Sequence, residues 1–209
     1  MSPAAAVRVR RAVPAETDVL VPACAVAFAD EAVLSWVIPD PAGRAARAVP
    51  MFQELLAVAV RDDQVIVAEL PDGAIVGMSV WLSLADAAAR HRQAAQLAEF
   101  PVEVDAVGQR LAAVSDTVDA HRPLDPHVYL ASMGVRPDLR GRGVGGAILA
   151  EGLRAADAEG LPTYLEASTE QSRRLYLRHG FHDHGRPLAL PDGGPVLRPM
   201  WRPAPDGRR

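Results

Sequence analysis

The 209-residue chain has no lysine and no asparagine, a single cysteine, and only 5% aromatic residues. Each shortage removes some chemistry. Without lysine there is neither a Schiff-base nucleophile nor the lysine of a phosphate-binding loop. The lone thiol, Cys24, excludes an intramolecular disulfide and any zinc site built on two cysteines. It lies in the apolar run Val19–Ala29 and reads as a small buried hydrophobe. That run is about half the length of a bilayer span, and Pro22 interrupts it. Acidic Glu16 and Asp18 stand where a secretory signal would carry positive charge. The expectation is a soluble, cytoplasmic protein with no membrane partner.

All 22 basic residues are arginine, and 26 carboxylates outnumber them, for a net charge of −4. A nucleic-acid binder gathers a basic surplus on one face, so no nucleic-acid partner is expected. Alanine occurs 38 times and is spread along the whole chain, a compositional habit rather than a task. The length suits one sizeable core, read as a single domain over 1–203 followed by a disordered tail, 204–209.

Residues Val7–Val13 read as a strand closed by Pro14, and Thr17 or Asp18 as the cap of a helix to about Asp30. Arg44–Val60 reads as a second helix. Gln64–Glu69 and Ile75–Ser83 are β-rich runs joined by Pro71-Asp72-Gly73, a hairpin signal. Leu84–Ala120 favours helix, with a break near Phe100-Pro101. His127–Val135 is an apolar strand of the buried, central kind. A helix from Gly143 to Glu159, a strand Thr163–Ala167 and a helix Thr169–His179 follow. Weak strand signals close the chain near Phe181–Leu190 and Val196–Trp201. This alternation predicts an α/β fold with a mixed sheet covered by helices.

The most informative stretch runs Met133-Gly134-Val135-Arg136-Pro137-Asp138-Leu139-Arg140-Gly141-Arg142-Gly143-Val144-Gly145-Gly146. Glycines between a strand and a helix let backbone N–H groups approach an anion, and the helix start adds donors and a positive dipole end. A phosphate or pyrophosphate fits there, with Arg140 and Arg142 supplying charge. The bland alternative is a tight turn whose glycines save space; four glycines in six positions between arginines argue against it. A dinucleotide fingerprint also matches, through Gly141, Gly143 and Gly146 with Glu166 twenty residues on. Yet five residues separate these glycines from the strand, and only 43 residues follow Glu166, too few for a second nucleotide-binding half.

Arg140-x-x-Gly143-x-Gly145 resembles the Q/R-x-x-G-x-G/A signature of the GNAT superfamily of N-acetyltransferases. Tyr164-Leu165-Glu166-Ala167-Ser168 and the ending Tyr176-x-x-x-Gly180-Phe181 continue the likeness in the right order. Within the superfamily the chain most resembles the puromycin N-acetyltransferase group of actinobacterial members. Ala27–Asp30, Val80-Trp81, His121-Arg122-Pro123 and most of Val128–Phe181 carry that likeness. The resemblance implies a sheet of about six to seven strands, helices on both faces, and a V-shaped splay between the fourth and fifth strands. It implies acetyl-CoA as co-substrate, no metal, and a small-molecule amine as acceptor. A peptide amino terminus and a non-catalytic acyl-CoA-binding module are the alternatives, and the protomer could be a monomer or a homodimer.

By the same resemblance, pantetheine would bond to backbone at Met133, Gly134 and Val135, and pyrophosphate to amides from Arg140 to Gly146. Tyr176 occupies the general-acid position; its bland alternative is a half-buried packing aromatic. Glu166, at a strand end, is the candidate base that takes the amine's proton, or else one half of an ion pair. Ser168, Thr169 or both would cap the following helix, with Gln171 completing a capping box from Ser168. Where relatives carry asparagine near the pantetheine, this chain has Ser172, one turn before Tyr176. Asp30, Trp36 and Trp81 are candidates to line the acceptor pocket, the two tryptophans being equally at home in a core. His127 and Tyr129 read as packing residues. His182-Asp183-His184 reads as a solvated edge rather than a metal site.

Overall fold

A computed structural model of the chain describes residues 6–61, 65–91 and 105–205. The strands are β1 (Arg8–Arg11), β2 (Val65–Glu69), β3 (Ile75–Leu84), β4 (His127–Val135), β5 (Thr163–Ala167), β6 (His182–Asp183), β7 (Leu188–Ala189) and β8 (Val196–Arg202). The principal helices are α1 (Thr17–Ala27), α2 (Ala32–Val37), α3 (Arg44–Arg61), α4 (Ala106–Asp119), α5 (Val144–Glu159) and α6 (Glu170–Arg178). Eight strands stand where six to seven are expected, because the weak tail signals form two strands of only two residues each. Helix α2 is not anticipated, since six residues are too few to show a helical period. The break foreseen near Phe100-Pro101 lies outside the described residues. Among the described residues no helix is long and apolar enough to cross a membrane.

The chain groups into two compact units from interleaved segments. One takes Met1–Glu31, Asp40–Leu82 and Leu130–Ala155; the other takes Ala32–Pro39, Ser83–Tyr129 and Ala156–Arg209.

The first unit holds strands in the order β1-β2-β3-β4. Strand β2 is apolar from Val65 to Ala68 and buried throughout that run, as a central strand must be. It turns into β3 through Asp72, whose carboxylate accepts from Ala74 N at 3.0 Å, and Gly73, at φ +86°. A positive φ there requires glycine, so the hairpin signal has its physical cause. Helix α1 packs on α3, with the Phe28 and Phe52 ring centroids 5.7 Å apart. Glu16, rather than Thr17 or Asp18, occupies the N-cap of α1. Cys24 is buried and burial pushes its thiol pKa up, so it is an inert packing group. Helix α5 lies close against β3. A Cβ on Gly152 would stand 2.0 Å from the Trp81 ring, which only glycine avoids.

The second unit holds strands in the order β4-β5-β8-β6, with β7 also on β8. Strands β4 and β5 run parallel, joined by the pairs Val128↔Thr163 and Tyr129↔Tyr164. Strand β8 is antiparallel to β5, with Tyr164↔Trp201 and Glu166↔Pro199. Side chains alternate along a strand, so this register puts His127, Tyr129, Tyr164, Glu166 and Trp201 on one face. Helix α6 packs on β5.

Candidate active site

The glycine loop belongs to the first unit. After β4 ends at Val135, Pro137–Leu139 make one tight helical turn, and α5 begins at Val144. Gly141 and Gly143 adopt φ +74° and +87°, yet a Cβ on either would meet nothing within 4 Å. These glycines are needed for backbone conformation and not for space. The first helical bond of α5 runs from Ala147 N to the Gly143 carbonyl at 3.0 Å. The amides of Val144, Gly145 and Gly146 precede it, and Gly143, with no side chain, cannot cap them as serine or aspartate would. They form a donor cluster at the positive end of a sixteen-residue helix. Exposed Arg142 flanks it.

Arg140 is engaged with the end of α1 and with Asp30. Its guanidinium makes two bonds to Asp30, at 2.7 and 2.6 Å, and donates to the Ala27 carbonyl at 3.1 Å. Its Nε donates to the Val135 carbonyl at 2.9 Å. Ala27 is the last residue of α1, where carbonyls lack helical partners and attract a cation. Arg140 therefore ties the loop to the end of that helix, and Asp30 is its partner. The Arg140 hydrogen bonds hold the Asp30 carboxyl below the usual aspartate range, against a smaller opposing effect of burial. Gly134 faces the Phe28 ring, where a Cβ would come within 2.6 Å, so this glycine serves packing. Met133 is half-buried beside it, and Val135 is buried.

The second unit carries Glu166 and Tyr176. The Tyr129 hydroxyl donates to Glu166 Oε2 at 2.8 Å. Glu166 as a residue is partly exposed, but its Oε1 is shut off from solvent and has no hydrogen-bond partner among the described residues. Burial pushes the carboxyl above the usual glutamate range, the Tyr129 hydrogen bond opposing. The Tyr164 hydroxyl, buried and without a hydrogen-bond partner among the described residues, stands near enough to this carboxylate to lower its proton affinity as Tyr129 does. His127 is fully buried, burial lowers its proton affinity, and its ring packs 5.7 Å from that of Tyr164.

Tyr176 sits on α6, 6% exposed, its ring 5.8 Å from that of Phe181. Thr169 is the N-cap of α6: its Oγ1 accepts from Ser172 N at 3.1 Å, and Ser172 Oγ accepts from Thr169 N at 3.2 Å. The capping box is thus Thr169 with Ser172, not Ser168 with Gln171. Ser168 lies just outside the helix, half-buried. Ser172 fixes the start of the helix that carries Tyr176 one turn later.

The two tryptophans part company. Trp81 is core in the first unit, 6% exposed, its Nε1 donating to Ser79 Oγ at 2.7 Å. Trp36 lines a cleft of about 160 Å³ in the second unit with Ala106, Gln109, Arg110, Ala113 and Asp192. Arg110 lies 5.6 Å from the Trp36 ring centroid and donates to its carbonyl at 3.0 Å. In the tract His182-Asp183-His184, Asp183 pairs with Arg173, and His184 stacks on Trp201 at 5.6 Å. Tyr129 is buried, as a packing residue is, and also bonds Glu166; Arg122, which sequence reasoning does not single out, has its Cζ 4.4 Å from the Tyr129 ring centroid. The available signal was a polar residue, two positions into an apolar strand, facing a glutamate on the neighbouring one.

Solved structures share this architecture over nearly their whole lengths. A histone acetyltransferase HPA2 and related acetyltransferase from Corynebacterium glutamicum is 24% identical, with TM-score 0.70 over 97% of this chain and 99% of that one. Arylalkylamine N-acetyltransferase 2 from Aedes aegypti is 14% identical, with TM-score 0.68 over 95% and 99%. A polyamine N-acetyltransferase from Drosophila melanogaster, which forms N-acetylagmatine, is 20% identical, with TM-score 0.65 over 94% and 99%. The profile of the Acetyltransferase (GNAT) family matches residues 31–181, which takes in the glycine loop, Glu166 and Tyr176. The chain belongs to the Acetyltransferase (GNAT) family.

Proposed function

We propose that the protein transfers the acetyl group of acetyl-CoA to the primary amine of a small molecule, by direct attack in a ternary complex. The observation that carries this reading is the glycine-capped start of α5. Its family motif stands on a strand, loop and helix, with three backbone amides ahead of the first helical bond. Those amides and Arg142 suit a pyrophosphate, and the backbone from Met133 to Val135 suits pantetheine.

An alkylamine with a pKa of about 10 is neutral roughly once in 10³ molecules at pH 7, a cost of about 4 kcal/mol. Glu166, pushed toward neutral pH by burial, is suited to accept that proton. The amine nitrogen then bonds to the carbonyl carbon, the carbon–sulfur bond breaks, and Tyr176 gives the leaving thiolate a proton. Solvent takes the second proton from the nitrogen as the amide forms, returns one to Tyr176 and removes one from Glu166, so that one proton is released per turnover. Ser172 holds the helix start from which Tyr176 is presented.

The acceptor is proposed to be a cationic or aromatic small amine, an aminonucleoside included on the strength of the sequence likeness. Release of thiol from acetyl-CoA tests this with putrescine, agmatine, phenethylamine, an aminonucleoside and a peptide with a free amino terminus. Turnover highest on a small amine is expected. Turnover confined to the peptide would overturn the acceptor class, and tight acetyl-CoA binding without turnover on any amine would overturn the enzyme itself.

A further inference from the structure

The proposed transfer leaves unused a line of side chains behind Glu166, all in the second unit. Asp119 is the last residue of α4, and the chain there turns back on the helix. The amides of His121 and Arg122 both bond to the Val118 carbonyl, at 3.0 and 2.9 Å. This turn sets Arg122 Nη2 3.1 Å from Asp119 Oδ1 and lays the guanidinium over the Tyr129 ring. The Arg122 side chain is 17% exposed, and its Nε is sealed from solvent with no partner among the described residues. Tyr129 is itself buried, and its hydroxyl is committed to Glu166 Oε2.

As packing alone this arrangement is unfavourable. It withdraws a guanidinium and a carboxylate from water, where apolar groups of similar size would pack at lower cost. As a device for one carboxylate it is coherent. A cation on a phenol face is attracted by the ring and makes the hydroxyl a stronger donor. The donor fixes one carboxylate oxygen and leaves the other, Oε1, as a buried acceptor lacking a donor. An N–H of an amine is what such an oxygen lacks.

We propose that Tyr129 and Arg122 are positioning residues for acetyl transfer: Tyr129 holds Glu166 by Oε2 so that Oε1 is left for the acceptor's N–H, and Arg122 fixes the Tyr129 ring and supplies positive charge that favours the ionised carboxylate. This rests on the reading of Glu166 as the base. The groups that face Glu166 are Tyr129 from β4, Tyr164 from β5, and Arg122 and Asp119 from the end of α4; opposite it on β8 stands uncharged Pro199. Burial raises its proton affinity most and Asp119 adds a little, while Tyr129, then Tyr164, then Arg122 lower it. Removing Tyr129 or Arg122 therefore raises the pH at which Glu166 ionises.

The test is a carboxyl-carbon NMR titration of the full chain labelled with ¹³C-glutamate, Glu166→Gln assigning the signal. It is paired with the pH profile of kcat/KM on the best amine of the panel above. Tyr129→Phe and Arg122→Gln should each move the Glu166 midpoint up by about one unit, a tenfold change. The acidic limb of kcat/KM should move with it, while acetyl-CoA affinity holds. Arg122→Lys, which keeps the charge, should restore much of the shift. Tyr129→Phe removes a single oxygen, so it serves if Arg122→Gln does not fold. An unmoved midpoint in the folded variants overturns the positioning role and leaves Glu166 as base. If instead Glu166→Gln keeps the acidic limb, Glu166 is not the base, and the positioning role goes with it.

Discussion

The glycine loop and the carboxylate face solve opposite problems. In the loop, the polar groups on offer are backbone amides, and the side chains around them are either absent, as at Gly143, or tied up, as in Arg140 with Asp30. On the face, the polar groups are side-chain oxygens, and the backbone only sets which of them meet. A backbone site tolerates changes to neighbouring side chains but not to its own dihedral angles. A side-chain site is sensitive to single atoms, because each buried oxygen depends on a particular donor.

The sharpest way to break this contrast is Gly143→Val. A β-branched residue is poorly accommodated at φ +87°, so the loop should lose its shape although nothing clashes with the new side chain. Acetyl-CoA affinity by calorimetry is expected to fall by about 100-fold or more, roughly 3 kcal/mol. Retained affinity would mean that the cradle is not made of backbone. Next comes Tyr176→Phe, which removes one hydroxyl and keeps the ring against Phe181. It should lower kcat by about 10²- to 10⁴-fold and leave acetyl-CoA affinity nearly unchanged; full kcat at every pH would show that Tyr176 is not the acid.

Asp30→Asn should have the smallest effect. Both partners of the Arg140 pair are about a third or more exposed, which limits the loss of stability to below about 1 kcal/mol. The sign with pH is fixed. Arg140 depresses the folded-state pKa of Asp30, so the contribution is complete above the unfolded pKa of about 4 and vanishes as pH falls through the folded value. Denaturant midpoints of the two proteins should differ at pH 7 and converge in acid, with the acceptor KM unmoved. A large rise in KM would return Asp30 to the acceptor site.

What was legible in the sequence follows the same division. Backbone chemistry leaves a local trace, and the run from Arg140 to Gly146 stated its strand, loop and helix without help. The hairpin at Asp72-Gly73 was legible for the same reason, since a positive φ selects its residue. Side-chain chemistry leaves no local trace. Tyr129 and Glu166 are 37 positions apart, and Arg140 and Asp30 are 110 apart. Their meeting depends on the register of two parallel strands and on the docking of a loop, neither of which is written in a period or a motif. Charge beside a glycine loop suggests an anion for Arg140, and no motif announces its contacts with the carbonyl end of α1 and with Asp30. Ser172 seemed a shortened ligand, yet a hydroxyl three residues after Thr169 is also what a capping box requires.

Gly152 carries a consequence beyond packing. It lies eight residues into the helix from Val144, about 12 Å from the amides that begin it. The indole of Trp81 leaves no room for even one carbon there. Helix α5 is thus seated by touch at its middle, like a gauge block against a stop. Adding a methyl group at position 152 would tilt the helix and mis-aim donors that it never contacts. The proposed grip on an anion at the start of α5 would then be adjustable two turns away, through a residue that bears no functional group at all.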